Sequence, residues 1–337
     1  MSNRIVLIGH CFGKVPNWFD ICLKTCEWNR NVDWLFFTDC LPERKTGENI
    51  RFVKISIADL KELIKAKTGT EPQIPDGFKV CDFRPAFGHV FEAYLQGRDF
   101  WGHCDFDIIW GDIRRFITDE MLDTFDVISS YPHTVVGSCT LYRNVPLIST
   151  LYRQNPYYRE AFQAPWGCCF DELGQTMRHG YGFGKTVREF ERAGKIKGFY
   201  QRLVGTDNCD DRDEKWIRQI EETYGEKTQR DPDFVWGPCV WQNGRLFFAG
   251  NRREIMSFHF KEYSVRHELF APLPLRWRDD IVSFEVNESG FIFHHSTWPG
   301  QVAGFWERGA SLFVRWMRQW IHALCGSNRG NAQRGHR

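Results

Sequence analysis

Asp105 and Asp107 stand one residue apart in an otherwise apolar run, Phe100-Trp-Gly-His-Cys-Asp-Phe-Asp-Ile-Ile-Trp-Gly-Asp112. In extended chain, side chains two residues apart project to the same side, so the pair can converge on one cation. Oxygen ligands suit a hard ion such as Mg²⁺ or Mn²⁺. An ion held there neutralises the charge that builds on a diphosphate leaving group, such as that of a nucleotide-sugar. A bare Asp-x-Asp occurs by chance on many surfaces. Here the apolar flanks put both acids at a strand end, where neighbouring carboxylates are costly without a cation.

Other residues offer chemistry on weaker local grounds. A neutral imidazole suits Mn²⁺ as a further ligand, and His259, His294 and His295 each offer one. Asp82 and Arg84 read, on local grounds alone, as an ion pair on the surface of an amphipathic helix. Asp171 and Glu172 precede Leu173. They are either acids stabilised by a helix start or carboxylates that take a proton from an attacking hydroxyl. Trp166 offers a face for stacking on a sugar ring. Gly180 to Thr186 resembles a phosphate-binding loop only superficially, because GxxxxGK[ST] needs glycine where His179 stands and no apolar strand precedes it.

The elements that must hold these residues alternate. Arg4 to Gly9, Asp33 to Thr38, Arg51 to Ile57, Phe100 to Ile109 and Asp126 to Ser130 read as strands. Pro16 to Trp28, Ala58 to Lys67 and Lys79 to Leu95 read as helices, the last long and amphipathic. This alternation predicts an α/β fold with a mostly parallel sheet flanked by helices. Ligands of such sheets lie at the carboxyl ends of the strands, where Thr38-Asp39 and Asp105-Asp107 fall. Two hairpins follow: Val235 to Phe248, turning at Asn243-Gly244, and Ile281 to Phe293, turning between Asn287 and Gly290. Lys195 to Asp233 is a charged insertion.

Bulk properties narrow the classes. The formal net charge of +1 over 337 residues gives no basic excess for nucleic acid. No run of about 18 apolar residues is present to span a bilayer. The short apolar run Ile5–Ile8 is a buried strand, not the core of an export signal. The 12 cysteines therefore read as reduced thiols in a cytoplasmic chain.

The stretch Lys79-Val-Cys-Asp-Phe-Arg-Pro-Ala-Phe-Gly-His89, followed by Asp99 to Asp107, resembles a bacterial family of DxD glycosyltransferases of GT-A fold. That family is distantly related to capsular-polysaccharide transferases and glycosylating toxins. The resemblance runs from about Ile5 to Lys261 and implies a role for each block. Phe36-Phe-Thr-Asp39 resembles the strand end where the nucleobase docks, which brings in Thr38 and Asp39. Asp82 and Arg84 would meet sugar hydroxyls and diphosphate. Gly137 to Asn144 would line the far side of the donor sugar, and Phe170-Asp-Glu172 would lie near the acceptor. Phe258-His-Phe-Lys261 would supply the third metal ligand and, through Lys261, a diphosphate contact.

The expectation is therefore a metal-dependent glycosyltransferase using Mn²⁺ or Mg²⁺ and a UDP-sugar, with a glycan or lipid-linked acceptor. Its GT-A-like catalytic domain would span residues 1–265. A C-terminal extension over 266–325 would hold a hairpin and an amphipathic helix, and 326–337 would form a disordered tail. The aromatic, Arg-bearing stretch Phe305 to Leu324 would either contact a membrane interface on the cytoplasmic face or fold back on the domain. Two other readings remain: a nucleotidyltransferase on a similar sheet, or a glycan-binding protein without catalysis.

Overall fold

Ile5 to Ile8 is an unbroken apolar run, as expected of a strand covered on both faces. The computed structural model describes residues 2–42, 45–201, 203–206, 218, 221, 222, 224, 237–260, 270, 271 and 273–296. In chain order the strands are β1 (Ile5–Cys11), β2 (Val32–Thr38), β3 (Ile50–Lys54), β4 (Phe100–Cys104), β5 (Ile108–Trp110), β6 (Val127–Ser129), β7 (Cys139–Arg143) and β8 (Gly198–Tyr200). They continue as β9 (Val204–Thr206), β10 (Cys239–Gln242), β11 (Arg245–Phe248), β12 (Glu254–Ile255), β13 (Ser257–His259), β14 (Ile281–Asn287) and β15 (Gly290–His295).

The central sheet runs β3-β2-β1-β4-β7-β6-β8. Its pairings are parallel except at β7, which runs against both β4 and β6. This is the mostly parallel, helix-flanked α/β sheet expected from the alternation of elements. The chain leaves β1 toward β2 on one side and returns as β4 on the other. A crevice therefore opens beyond the carboxyl ends of β1 and β4. Side-chain alternation divides the core between two faces. Val6, Ile8, Phe37 and Trp101 fill one; Ile5, Leu7, Trp34 and Phe100 fill the other.

Helix α1 (Phe19–Trp28) lies between two cores. Phe19 and Leu23 join the central sheet, and Ile21 and Cys22 face the later strands. Helix α2 (Ile57–Thr68) starts on a reciprocal Ser56/Asp59 capping box and stops at Gly69. The long amphipathic helix expected from Lys79 to Leu95 does not form. Phe78–Ala86 winds as tight 3₁₀ turns and Phe87–Val90 as one α turn. Pro85 removes an amide and crowds the preceding turn. Lys79, Asp82 and Arg84 are buried together with Val80, Phe83 and Phe87, so the segment's charged residues do not form the solvent face of an amphipathic helix.

Two smaller sheets complete the described structure. Both expected hairpins form, as β10-β11 and β14-β15. Asn243 and Gly244 take positive φ of 49° and 78°, as a two-residue hairpin turn requires. The hairpins join as β12-β11-β10-β14-β15, a sheet with strands from both sides of residue 265. The third sheet is β5-β13-β9. Phe305 to Leu324 and the tail lie outside the described residues. Among the described residues no helix is long and apolar enough to cross a membrane.

Candidate functional site

The single strand expected from Phe100 to Ile109 is two strands, with a bend at Asp105-Phe106-Asp107 between them. Phe106 makes the bend hold. Its ring packs on Phe19 and Phe36 with centroids 5.1 and 5.2 Å away. Its carbonyl accepts from Trp18 Nε1 at 3.3 Å. With the middle residue anchored in the core, the aspartates on either side are left facing the crevice.

The third member arrives through strand pairing. β13 runs antiparallel to β5 and sets His259 opposite Ile108, while Phe260 N donates to Asp107 O at 3.0 Å. His259 Nε2 lies 3.1 Å from Asp107 Oδ1 and 3.7 Å from Asp105 Oδ2. One ligand atom from each of the three residues falls within 4.8 Å of the others. Two carboxylate oxygens and an imidazole nitrogen are a donor set that could hold a divalent metal ion. His294 is exposed, and His295 is buried beside Asp280, 3.3 Å away in the separate hairpin sheet. Neither belongs to this cluster. Lys261 lies outside the described residues.

Arg84 connects the aspartates to the acids near the expected acceptor side. It is only 4% exposed. Nη2 donates to Asp105 Oδ1, and Nη1 donates to Asp171 Oδ2 at 3.0 Å. Burial pushes the Asp171 carboxyl well above the usual range, and the Arg84 guanidinium pulls the other way. Glu172 is half-buried and accepts from Gly137 N at 2.8 Å.

Gly137 is a close approach of backbone to this pair. A Cβ there would sit 2.4 Å from Arg84 Nη1 and 2.9 Å from Asp171 Oδ2. Gly137 O accepts from His103 Nδ1 at 3.1 Å. Since a carbonyl only accepts, His103 carries its proton on Nδ1. Burial holds its pKa well below the usual value. The rest of the Gly137–Asn144 block leads away from the crevice: in the antiparallel register Cys139 faces Cys104 and Arg143 faces Phe100.

Asp82 does not face the crevice as a sugar contact. Its Oδ1 accepts from Phe170 N at 2.8 Å; its Oδ2 accepts from Cys168 N and Lys79 Nζ, both at 2.7 Å. With both oxygens engaged in a buried position, it clamps the Cys168–Phe170 backbone. Thr38 is also turned inward. Its Oγ1 donates to Cys40 O and accepts from Cys40 N, each at 3.0 Å. Asp39 remains exposed at the end of β2 and accepts from Gly13 N at 2.8 Å. That contact ties Asp39 to the backbone just after β1. Gly9 is small because the Phe36 ring would lie 2.6 Å from any Cβ. The Gly180–Thr186 stretch is no phosphate cradle: Thr186 is buried and accepts from Asn155 Nδ2 at 2.9 Å.

Sequence reasoning passed over His10, His103 and Cys81, which cluster behind Arg84 and Asp105. Burial beside Arg84 pulls His10 down to about 3, and its Nε2 lies 3.8 Å from Cys81 Sγ. For His10 and His103 the sequence signal was a polar residue inside an apolar strand.

Residues 7–273 match a family described as a family of unknown function, DUF6625. The chain belongs to that family. No curated protein matches the chain. Among solved structures it is similar to galactosyltransferase LgtC in complex with donor and acceptor sugar analogs, at 12% identity and a TM-score of 0.40, covering 77% of this chain and 87% of that one. It is also similar to mouse xyloside xylosyltransferase 1 in its apo form, at 8% identity and a TM-score of 0.38, covering 76% and 97%. Neither likeness is close enough to assign an activity to this family member.

Proposed function

We propose that the chain is a glycosyltransferase. It would move a sugar from a nucleoside-diphosphate donor, a UDP-sugar in the first instance, to a glycan or lipid-linked acceptor. The observation that carries this reading is the convergence of Asp105, Asp107 and His259 within 4.8 Å at the carboxyl-end crevice of a mostly parallel sheet.

The residues fit a divalent ion. Ligands about 2.1 Å from a shared octahedral ion sit roughly 3.0 Å apart, and His259 Nε2 and Asp107 Oδ1 are 3.1 Å apart. Bound there, Mn²⁺ or Mg²⁺ would neutralise the charge developing on the diphosphate. Arg84 orients Asp105 for that task and keeps a fixed positive charge beside the same group. Asp39 offers its exposed carboxylate at the nucleobase edge. Asp171 and Glu172 form the acidic wall on the acceptor side. Burial raises the Asp171 carboxyl, the direction that makes its carboxylate a stronger proton acceptor.

A thermal-shift screen tests the reading. Mn²⁺ with the true donor should raise the melting temperature, since a ligand binding only the folded state stabilises it by mass action. Asp107→Asn should abolish the response, and the wild type should release nucleoside diphosphate from the donor. Release of pyrophosphate instead, or an Asp107→Asn response equal to wild type, would overturn it.

A further inference from the structure

Phe78 and Trp166 are the most exposed large hydrophobic side chains among the described residues, at 66% and 60%. Exposed aromatics are ordinary when their backbone is loose. Here it is not. Lys79 Nζ, buried, donates to Trp166 O at 2.7 Å, and Lys79 N donates to Asp76 Oδ1 at 3.0 Å. Asp82 holds the amides of Cys168 and Phe170. Gly167, next to Trp166, lies under the Phe78 ring so closely that a Cβ would sit 2.9 Å from it. On the other side Gly77 leans on Phe12, just past the end of β1, with 3.4 Å between an added Cβ and Phe12 Cβ. Two aromatic rings are thus presented to solvent on clamped backbone at the carboxyl-end crevice.

We infer that Phe78 and Trp166 form an acceptor subsite that takes a pyranose ring of a glycan. The inference rests on the glycosyltransferase reading and deepens it. A pyranose carries C–H groups on its faces and hydroxyls around its rim, so it needs an apolar plane with polar groups beside it. Asp76, exposed and hydrogen-bonded to the amide that follows Phe78, supplies an acceptor beside the rings. A lipid surface would find a carboxylate at Asp76 where it needs apolar or basic neighbours. The subsite is also continuous with the proposed centre. Trp166 is five residues before Asp171, and Arg84 carries the connection on to Asp105. Rigid aromatic anchors cost little conformational entropy on binding.

Saturation-transfer NMR on the full chain tests the subsite without donor, using methyl β-galactoside, methyl β-glucoside, lactose and maltose. At least one should take up saturation, strongest at C–H protons of one ring face. Trp166→Ala should weaken that binding roughly tenfold, and Trp166→Phe should restore most of it. Both variants should melt with the wild type, since the ring is exposed. Absence of saturation from all four sugars, or equal binding by Trp166→Ala, overturns the subsite. So does Trp166-dependent binding to phosphatidylglycerol vesicles without sugar binding. Mn²⁺-dependent nucleoside diphosphate release by the wild type is scored separately. If it fails while Trp166-dependent sugar binding persists, the glycan site stands and the transferase reading falls.

Discussion

Arg84 is shared between Asp105 and Asp171, one amino group to each carboxylate. The sequence separates these acids by 66 positions, yet one buried cation serves both. The arrangement couples the carboxylate pair to the acidic wall, and removing the cation should be felt on both sides. Arg84→Met should lower stability by about 3 kcal/mol or more, because it leaves Asp171 buried without its partner. The sign with pH follows from Asp171, whose folded carboxyl is already pushed up. Below its unfolded value near 4 the acid is neutral in both states. The variant's deficit should therefore shrink as pH falls toward 4 and grow as pH rises. Urea denaturation from pH 4.5 to 8 reads this directly; a deficit independent of pH would contradict it.

Gly137→Ala should act on the same pair from the backbone side. Its Cβ would meet Arg84 Nη1 at 2.4 Å, which forces a shift costing about 1–3 kcal/mol. The stabilisation by Mn²⁺ should weaken along with it. Gly13→Ala is the control. Gly13 has open space around it but a φ of +87°, so strain of about 1 kcal/mol is expected with the Mn²⁺ response preserved.

Lys79→Met should loosen the segment that carries Trp166 and Asp171. The Lys79–Asp82 pair is almost wholly buried at 2.7 Å, and breaking such a pair costs about 3–5 kcal/mol. Hydrogen exchange should accelerate first at the Cys168 and Phe170 amides, which Asp82 accepts. Uniform acceleration across the sheet would mean that the clamp is not local.

His10 gives the protein an acid limb. Its pKa is pulled down to about 3 by burial and by Arg84, against about 6.5 unfolded. Between those values the unfolded chain binds more protons, so stability is full above about 6.5 and falls as pH drops, by up to about 1.4 kcal/mol per pH unit. His103 contributes with the same sign. His10→Gln should therefore reduce the slope of stability against pH between 6.5 and 4.5, and His10→Gln/His103→Gln should reduce it further. An unchanged slope in the double variant would refute this account.

The sheet was legible because Val, Ile, Leu and Phe in short runs between polar helices leave few alternatives. Both hairpins were legible from turn chemistry at Asn243-Gly244 and near Gly290. The Lys79–Leu95 segment misled because its charged residues were read as a solvent face. Lys79, Asp82 and Arg84 are all buried, each satisfied by a partner about 20 to 90 positions away or by one another. Helical periodicity cannot distinguish a solvated charge from one paired over that distance. Thr38 closes β2 at the carboxyl end where the sequence reading put it, but its hydrogen bonds turn it inward; Asp82 is turned inward likewise by the Cys168 and Phe170 amides. His259 stood out only through family resemblance, since a lone histidine in a strand carries no sign of what its neighbour will be.

The pairing of β13 with β5 has a consequence in time. Asp105 and Asp107 leave the ribosome some 150 residues ahead of His259. Over those residues the emerging chain displays two carboxylates with no imidazole to join them. A cation captured early would meet an incomplete set of ligands and a crevice without its floor. Strand β13 therefore acts as a late latch, so the centre matures only once the chain has been made through His259.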